Sequence, residues 1–184
     1  ILEKNRIELE VQEAVFDDNL EVISSTNIRK HIKETNLEKV KKLLGHNLII
    51  LGKVIHGKQL GRTIGFPTAN LKFENRVYPS FGVYGVKIYF YEKGICRTYT
   101  GVMNIGRNPT VDKDNLSVET HIFDFDKDIY GKYILIEIFK NIRKEIKFNS
   151  IDELKNQIDK DSKYWKNEVK KIKEQDRENE IRWR

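Results

Sequence analysis

The sequence predicts a mainly β domain, an antiparallel sheet or small closed barrel, followed by one long C-terminal helix. Three observations carry this. Six segments between residues 48 and 140 are rich in β-branched and aromatic residues, with alternation clearest over 82–90. The connections between them are short and carry Gly, Asp and Asn. After Ser150 the period changes, and Ile151, Leu154, Ile158, Tyr164 and Trp165 recur near 3.6 residues.

Taken in order, residues 7–11 alternate like a strand. Ser25 or Thr26 suits the N-cap of a helix carrying Ile28 and Ile32 on one face. Thr35 and Glu38 have capping-box spacing for a second helix, with Leu37, Val40, Leu43 and Leu44 apolar and Gly45 as its left-handed end. The six strands are expected at 48–55, 67–73, 82–90, 97–105, 117–125 and 133–140. Glu92-Lys93-Gly94 is a turn, 106–115 a loop with Pro109, and Asp126-Lys127-Asp128 with Gly131 turns the chain before the last strand. Ser150 caps the long helix, and Asp152 and Glu153 suit its positive end. From Lys166 onward nearly every residue is charged or polar, so the tail is a solvated helix that frays or is disordered.

The 184 residues are 39% hydrophobic and 34% charged, with net charge +6 and pI near 9.2. The basic balance suits nucleotide polyphosphates as well as nucleic acid, because the lysines are scattered rather than gathered in one arm. The single cysteine, Cys96, excludes a disulfide framework within the chain and fits a reducing cytoplasm. No apolar run approaches a membrane span. The chain opens without Met or a signal pattern, as a piece of a longer protein would.

The chemistry concentrates between Gly57 and Asn70. Three glycines, Lys58 and Arg62 precede Pro67-Thr68-Ala69-Asn70. Glycines allow close approach to an anion, and the cations supply charge-assisted donors. If the chain is extended after Pro67, Thr68 and Asn70 share a face and offer oxygens to a hydrated Mg²⁺. The alternative is a glycine-rich hairpin loop before an edge strand. The spacing is neither a Walker A loop nor a Rossmann fingerprint. Glu119 shares a strand face with His121 and Phe123, pointing either into a cavity as a general base or outward from the sheet. Residues 104–110 form a second polar loop, and Arg143 with Phe148 either grips a planar ring or staples the helix. His31, His46 and His56 lack metal-ligand spacing.

Together these motifs resemble riboflavin kinase. The elements are Gly52-Lys53-Val54-Ile55-His56-Gly57, Leu60 to Asn70, Gly82-Val83-Tyr84, Asn104 to Thr110, Val118-Glu119-Thr120-His121, Tyr130-Gly131 and Phe148-Asn149-Ser150, in this order. The resemblance covers about 47–164. It implies a six-stranded antiparallel Greek-key barrel with a C-terminal α-helix, and transfer of the γ-phosphoryl of ATP to the ribityl 5′-hydroxyl of riboflavin to give FMN. It implies Glu119 as catalytic base and Thr68 and Asn70 as Mg²⁺–ATP ligands. Gly57 and Arg62 fall in the phosphate loop, and Ile122, Asp124 and Tyr130 line the nucleotide site. Arg143, Ile146 and Phe148 lie near the flavin. Residues 23–29, Ile-Ser-Ser-Thr-Asn-Ile-Arg, resemble the closing motif of the nucleotidyltransferase domain in bifunctional riboflavin kinase/FAD synthetases. Residues 1–45 are then its short helical remnant, 46–165 the kinase domain and 166–184 a charged tail. The implied partners are ATP and riboflavin, with no nucleic acid and no membrane. A nucleic-acid-binding barrel is the weaker reading, because the tyrosines fall mostly in core-like strand positions.

Overall fold

The computed structural model describes residues 12–57, 60–73, 77–107 and 116–182, with backbone alone at 60 and 175–182. The strand-like stretch 7–11, Lys58 and most of the loop after Arg107 lie outside the described residues. Two helices, α1 (Ser25–Lys33) and α2 (Leu37–Leu44), precede β1 (Leu48–Ile55). A short α3 (Leu60–Thr63) leads into β2 (Ala69–Phe73). Then come β3 (Gly82–Glu92), β4 (Ile95–Arg107), β5 (Leu116–Ile122), β6 (Tyr133–Lys144) and α4 (Ile151–Arg182). All six expected strands form.

The strands close into an antiparallel barrel in the order β1-β2-β5-β4-β3-β6. Consecutive β3, β4 and β5 are neighbours, while β6 returns to lie beside β3, which is a Greek key. Alternation sends one residue in two to the interior. Leu48, Ile50 and Val54 of β1 face inward, with Ile49, Leu51 and Ile55 exposed between them. Ile134, Ile136 and Ile138 of β6 and Tyr84, Val86, Ile88 and Phe90 of β3 fill the same core.

The outer face of β3 is buried too, because α4 lies on it. Trp165 of α4 is 1% exposed and packs with Val83, Val102 and Phe123. Its indole Nε1 donates to the Val86 carbonyl at 3.2 Å. A Cβ at Gly85 would run into that indole, so β3 needs glycine there. Ion pairs fix the helix further along. Arg143 of β6 grips Asp161 through Nε and Nη2, at 3.0 and 2.9 Å. Lys140 reaches Glu168 at 2.8 Å. Hydrogen bonds from Lys140 and then Lys171 hold the Glu168 carboxyl down at about 2.

Ser150 caps α4 as expected, its Oγ accepting from Glu153 N–H at 3.1 Å, but the caps of α1 and α2 lie one residue from their expected places. Ser24, not Ser25 or Thr26, caps α1 by accepting from Asn27 N–H at 3.3 Å. Asn36, not Thr35, caps α2 through Lys39 N–H. Thr35 has φ +60 and its Oγ1 accepts from Ser80 N–H at 2.9 Å, tying the α1–α2 corner to the barrel. Gly45 ends α2 at φ +77 as expected. Ile32 of α1 and Val40 of α2 belong to the barrel's own core, so the two helices share a hydrophobic cluster with it. Before them, the Asp17 carboxylate accepts from Lys39 and from the Glu21 and Asn19 N–H groups. The Lys39 bond first, then the Glu21 amide, lower its pKa to about 2. α4 runs on to Arg182, so the charged stretch from 166 to 182 is helical.

Candidate active site

A cleft of about 550 Å³ opens beside the start of β2. Arg62 lines it from α3, and Pro67 and Thr68 from the α3–β2 connection. Val54 and Ile122 give it apolar surface, and Asp126, Asp128 and Tyr130 come from the β5–β6 connection. Arg62, Pro67, Thr68 and Ala69 of the Gly57–Asn70 segment therefore border a cavity, and the same segment joins the antiparallel neighbours β1 and β2 as a long hairpin connection.

Local packing explains its shape. Phe66 N–H donates to the Gly61 carbonyl at 2.8 Å, and a Cβ at Gly61 would strike the Phe66 carbonyl. Gly65 turns the chain at φ +85. His121 Nδ1–H donates to the Pro67 carbonyl at 2.9 Å while its ring meets Phe66 edge-on. His121 thus holds the loop in place. Gly57 makes room instead, since a Cβ there would occupy the space of the Asn70 amide.

Across the barrel exterior runs one row of register partners. Asn70 of β2 pairs with Glu119 of β5, and Glu119 with Asn104 of β4. Asn104 pairs with Val83 of β3, and Val83 with Arg143 of β6. Adjacent strands lie roughly 4.8 Å apart, so Glu119 stands about 5 Å from the Asn70 strand and about 14 Å from the Arg143 strand. Thr68 Oγ1 and Ser117 Oγ each donate to the Glu119 carboxylate, both at 3.4 Å. Glu119 is half-buried on the outer face, while Val118, Thr120 and Ile122 face the core. Of the two orientations open to it, the outward one is observed, beside hydroxyls and amides rather than in an aromatic cavity.

The expected nucleotide residues divide. Arg62, Thr68, Ile122 and Tyr130 come together at the cleft. Gly57 and Asn70 are not among its lining residues, and neither is Asp124. The Asp124 backbone is left-handed, φ +54, and its carboxylate turns toward Lys166 of α4 at 3.5 Å. At the other end of the row, Arg143 lies over the Phe148 ring, 5.7 Å from its centroid, with its charge engaged by Asp161. Ile146 is exposed beside them.

Two residues that the motifs contain without an assigned role stand beside the expected ones. Asn104 stands next to Glu119, a placement that needs strand register and cannot be read from a loop motif. The His56 ring stacks on Tyr130, centroids 3.8 Å apart and planes 25° off parallel, although the two residues are far apart in sequence. Among the described residues no group of three His, Cys, Asp or Glu could hold a metal on its own, and no helix is long and apolar enough to cross a membrane.

Residues 44–169 match the family model for flavokinase, that is, riboflavin kinase. The chain belongs to the riboflavin kinase family. A bifunctional riboflavin kinase/FMN adenylyltransferase of Haemophilus influenzae is 46% identical over 139 residues, 76% of this chain and 44% of that protein. The protein of the same name from Escherichia coli K12 is 44% identical over the same shares. The chain spans less than half the length of these relatives. Among solved structures, one described as a macrolide-efflux protein from Streptococcus pneumoniae aligns with TM-score 0.73 and 38% identity, over 86% of this chain and 51% of that one. Riboflavin kinase from Trypanosoma brucei aligns with TM-score 0.51 and 25% identity, over 67% and 80%.

Proposed function

We propose that this chain transfers the γ-phosphoryl group of ATP to the ribityl 5′-hydroxyl of riboflavin, releasing FMN and ADP. The observation that carries the reading is the register row from Asn70 through Glu119 to Arg143, tied to the cleft by Thr68, which lines the cleft and donates to Glu119. In this reading Glu119 stands between the cleft, taken for the nucleotide, and the Arg143 end of the row, taken for the flavin.

In this reading Val54, Ile122 and Tyr130 take the nucleobase and Arg62 faces the phosphates. Thr68 and Asn70, with the Glu119 carboxylate beside them, offer hard oxygens that fit a hydrated Mg²⁺. When bound, the ion supplies charge neutralisation to the transferring group. Glu119 accepts the hydroxyl proton as the ribityl oxygen bonds to phosphorus and the bond to the ADP oxygen breaks. The Thr68 and Ser117 hydroxyls, donating to its two oxygens, hold the carboxylate in orientation. Arg143, Ile146 and Phe148 take the flavin ring. Direct displacement needs no covalent enzyme intermediate.

The region before the barrel is read as the end of a nucleotidyltransferase domain whose other parts adenylylate FMN in a longer protein. The residues 23–29 motif and the names of the bifunctional relatives support this. ATP supply and the exposed thiol of Cys96 favour the cytoplasm as its place of work.

The test is to incubate the chain with riboflavin, ATP and Mg²⁺ and separate the products. FMN and ADP should appear one for one. Lumiflavin, which keeps the ring and lacks the ribityl chain, should give neither a phosphorylated flavin nor ADP. Absence of FMN with riboflavin would reject the proposal.

A further inference from the structure

We infer that His56 is a positioning residue of the nucleotide site: it acts through the Tyr130 ring, which it backs by stacking. The inference rests on reading the cleft as the nucleotide site. Tyr130 lines the cleft but is 38% exposed, and it sits in a connection rather than a strand. A ring so placed has rotamers to choose among unless something holds it. Three contacts do. Tyr130 N–H donates to Asp128 Oδ1 at 2.9 Å. The next residue, Gly131, donates its N–H to the Val54 carbonyl at 2.8 Å, which anchors the connection to β1. Those two bonds fix the backbone. The side chain is fixed by His56, whose ring lies nearly parallel to it at 3.8 Å.

His56 is well placed to do this. It follows directly on Ile55, the last residue of β1, so its own backbone is held by the barrel. Ile55 pairs in register with Asn70. Gly57, on its other side, leaves the room that the Asn70 amide occupies. The dipeptide thus sets a wall for the base and makes space for an oxygen donor with one short piece of chain. Aromatic stacking of this kind contributes enough to change a ligand's affinity several-fold when lost, and preorganising one ring face does so without altering the reacting atoms.

The experiment is calorimetric titration of the chain with Mg²⁺–ATP, without riboflavin, for wild type, His56→Ala, His56→Phe, Tyr130→Ala and the double variant His56→Ala/Tyr130→Ala. His56→Ala should weaken ATP about 3- to 10-fold. His56→Phe, which keeps a stacking ring and loses both nitrogens, should restore affinity to within about 2-fold. In the Tyr130→Ala background the His56→Ala change should have almost no further effect. In turnover, KM for ATP should rise in His56→Ala while kcat stays within about 2-fold. Unchanged ATP affinity in His56→Ala overturns the inference, and so does an undiminished effect in the Tyr130→Ala background or a failure of His56→Phe to rescue. A wild type that binds ATP but makes no FMN rejects the proposed reaction and leaves the His56 measurement valid. A wild type that binds no ATP rejects both.

Discussion

Two hydroxyls, from Thr68 and Ser117, donate to the one carboxylate of Glu119, and two amides, Asn70 and Asn104, flank it in register. A primary alcohol is a poor nucleophile until a base takes its proton, so this carboxylate is where removing a single proton acceptor should be felt most. Glu119→Gln keeps the shape but cannot accept the proton. Its kcat should fall about 10²- to 10⁴-fold, with ATP affinity nearly unchanged by calorimetry. Thr68→Ala and Asn70→Ala should each weaken Mg²⁺–ATP more than riboflavin, because what they lose is a hard oxygen donor beside the cleft. Unchanged nucleotide affinity in both variants would contradict their assignment. Thr68 and Asn70 were legible as candidates because a hydroxyl and an amide two apart share a face where the chain is extended, although β2 begins only at Ala69. The surroundings of Glu119 were not legible. They depend on which strand lies beside β5, and β2 does so from much earlier in the chain. Asp124 shows the same limit from the other side. Its left-handed φ of +54 turns its side chain away from that of Ile122, and no local pattern announces it.

At the scale of elements, α4 is attached to the barrel by Trp165, with Val169 and Ile172 packed in the same cluster, and by a few ion pairs. Trp165 lies over Gly85, where β3 bulges against β6. Trp165→Ala should cost about 3–5 kcal/mol in denaturant unfolding, the range for removing a buried indole. Gly85→Ala should also destabilise, since the new Cβ meets the indole. The Glu168 pair carries a pH signature. Its carboxyl is held at about 2 in the fold, mainly by the Lys140 hydrogen bond, against an ordinary value of 4.5. A depressed carboxylate stabilises above its unfolded pKa and loses that stabilisation as pH falls through the folded value. The melting temperature should therefore drop between about pH 5 and pH 2, and Glu168→Gln should flatten part of that drop. An identical pH profile in the variant would show that the pair contributes nothing. The strands and the helical period of α4 were readable because alternation and the 3.6-residue repeat are local. The four-residue α3 was not, because its glycine disfavours helix and its geometry is set by the Phe66 and Thr68 segment packed on it. The α1 and α2 caps moved by one residue, and at α2 the reason is tertiary: Thr35 is drawn off to bind Ser80 of another part of the fold.

For the molecule as a whole, closure of the barrel converts a linear list of motifs into one surface. Residues 70, 104, 119 and 143 come from four different strands and fall in one row only because β2, β5, β4, β3 and β6 are neighbours in that order. The β content, the strand count and the C-terminal helix were visible in composition and period. The Greek-key topology was not, and came instead with the family resemblance, while the strand order itself came with the structure. The register row was visible in neither, since it requires both order and phase. The proposed function has that row carry a phosphoryl group from the cleft to a flavin alcohol near Glu119. The decisive measurement is to supply ATP labelled in its γ-phosphorus with riboflavin and Mg²⁺ and follow the label. It should move into FMN in equal amount to the ADP formed, with no pyrophosphate released. Label remaining in ATP or appearing only as free phosphate, or a flavin product formed with release of pyrophosphate, would rule out phosphoryl transfer along this row.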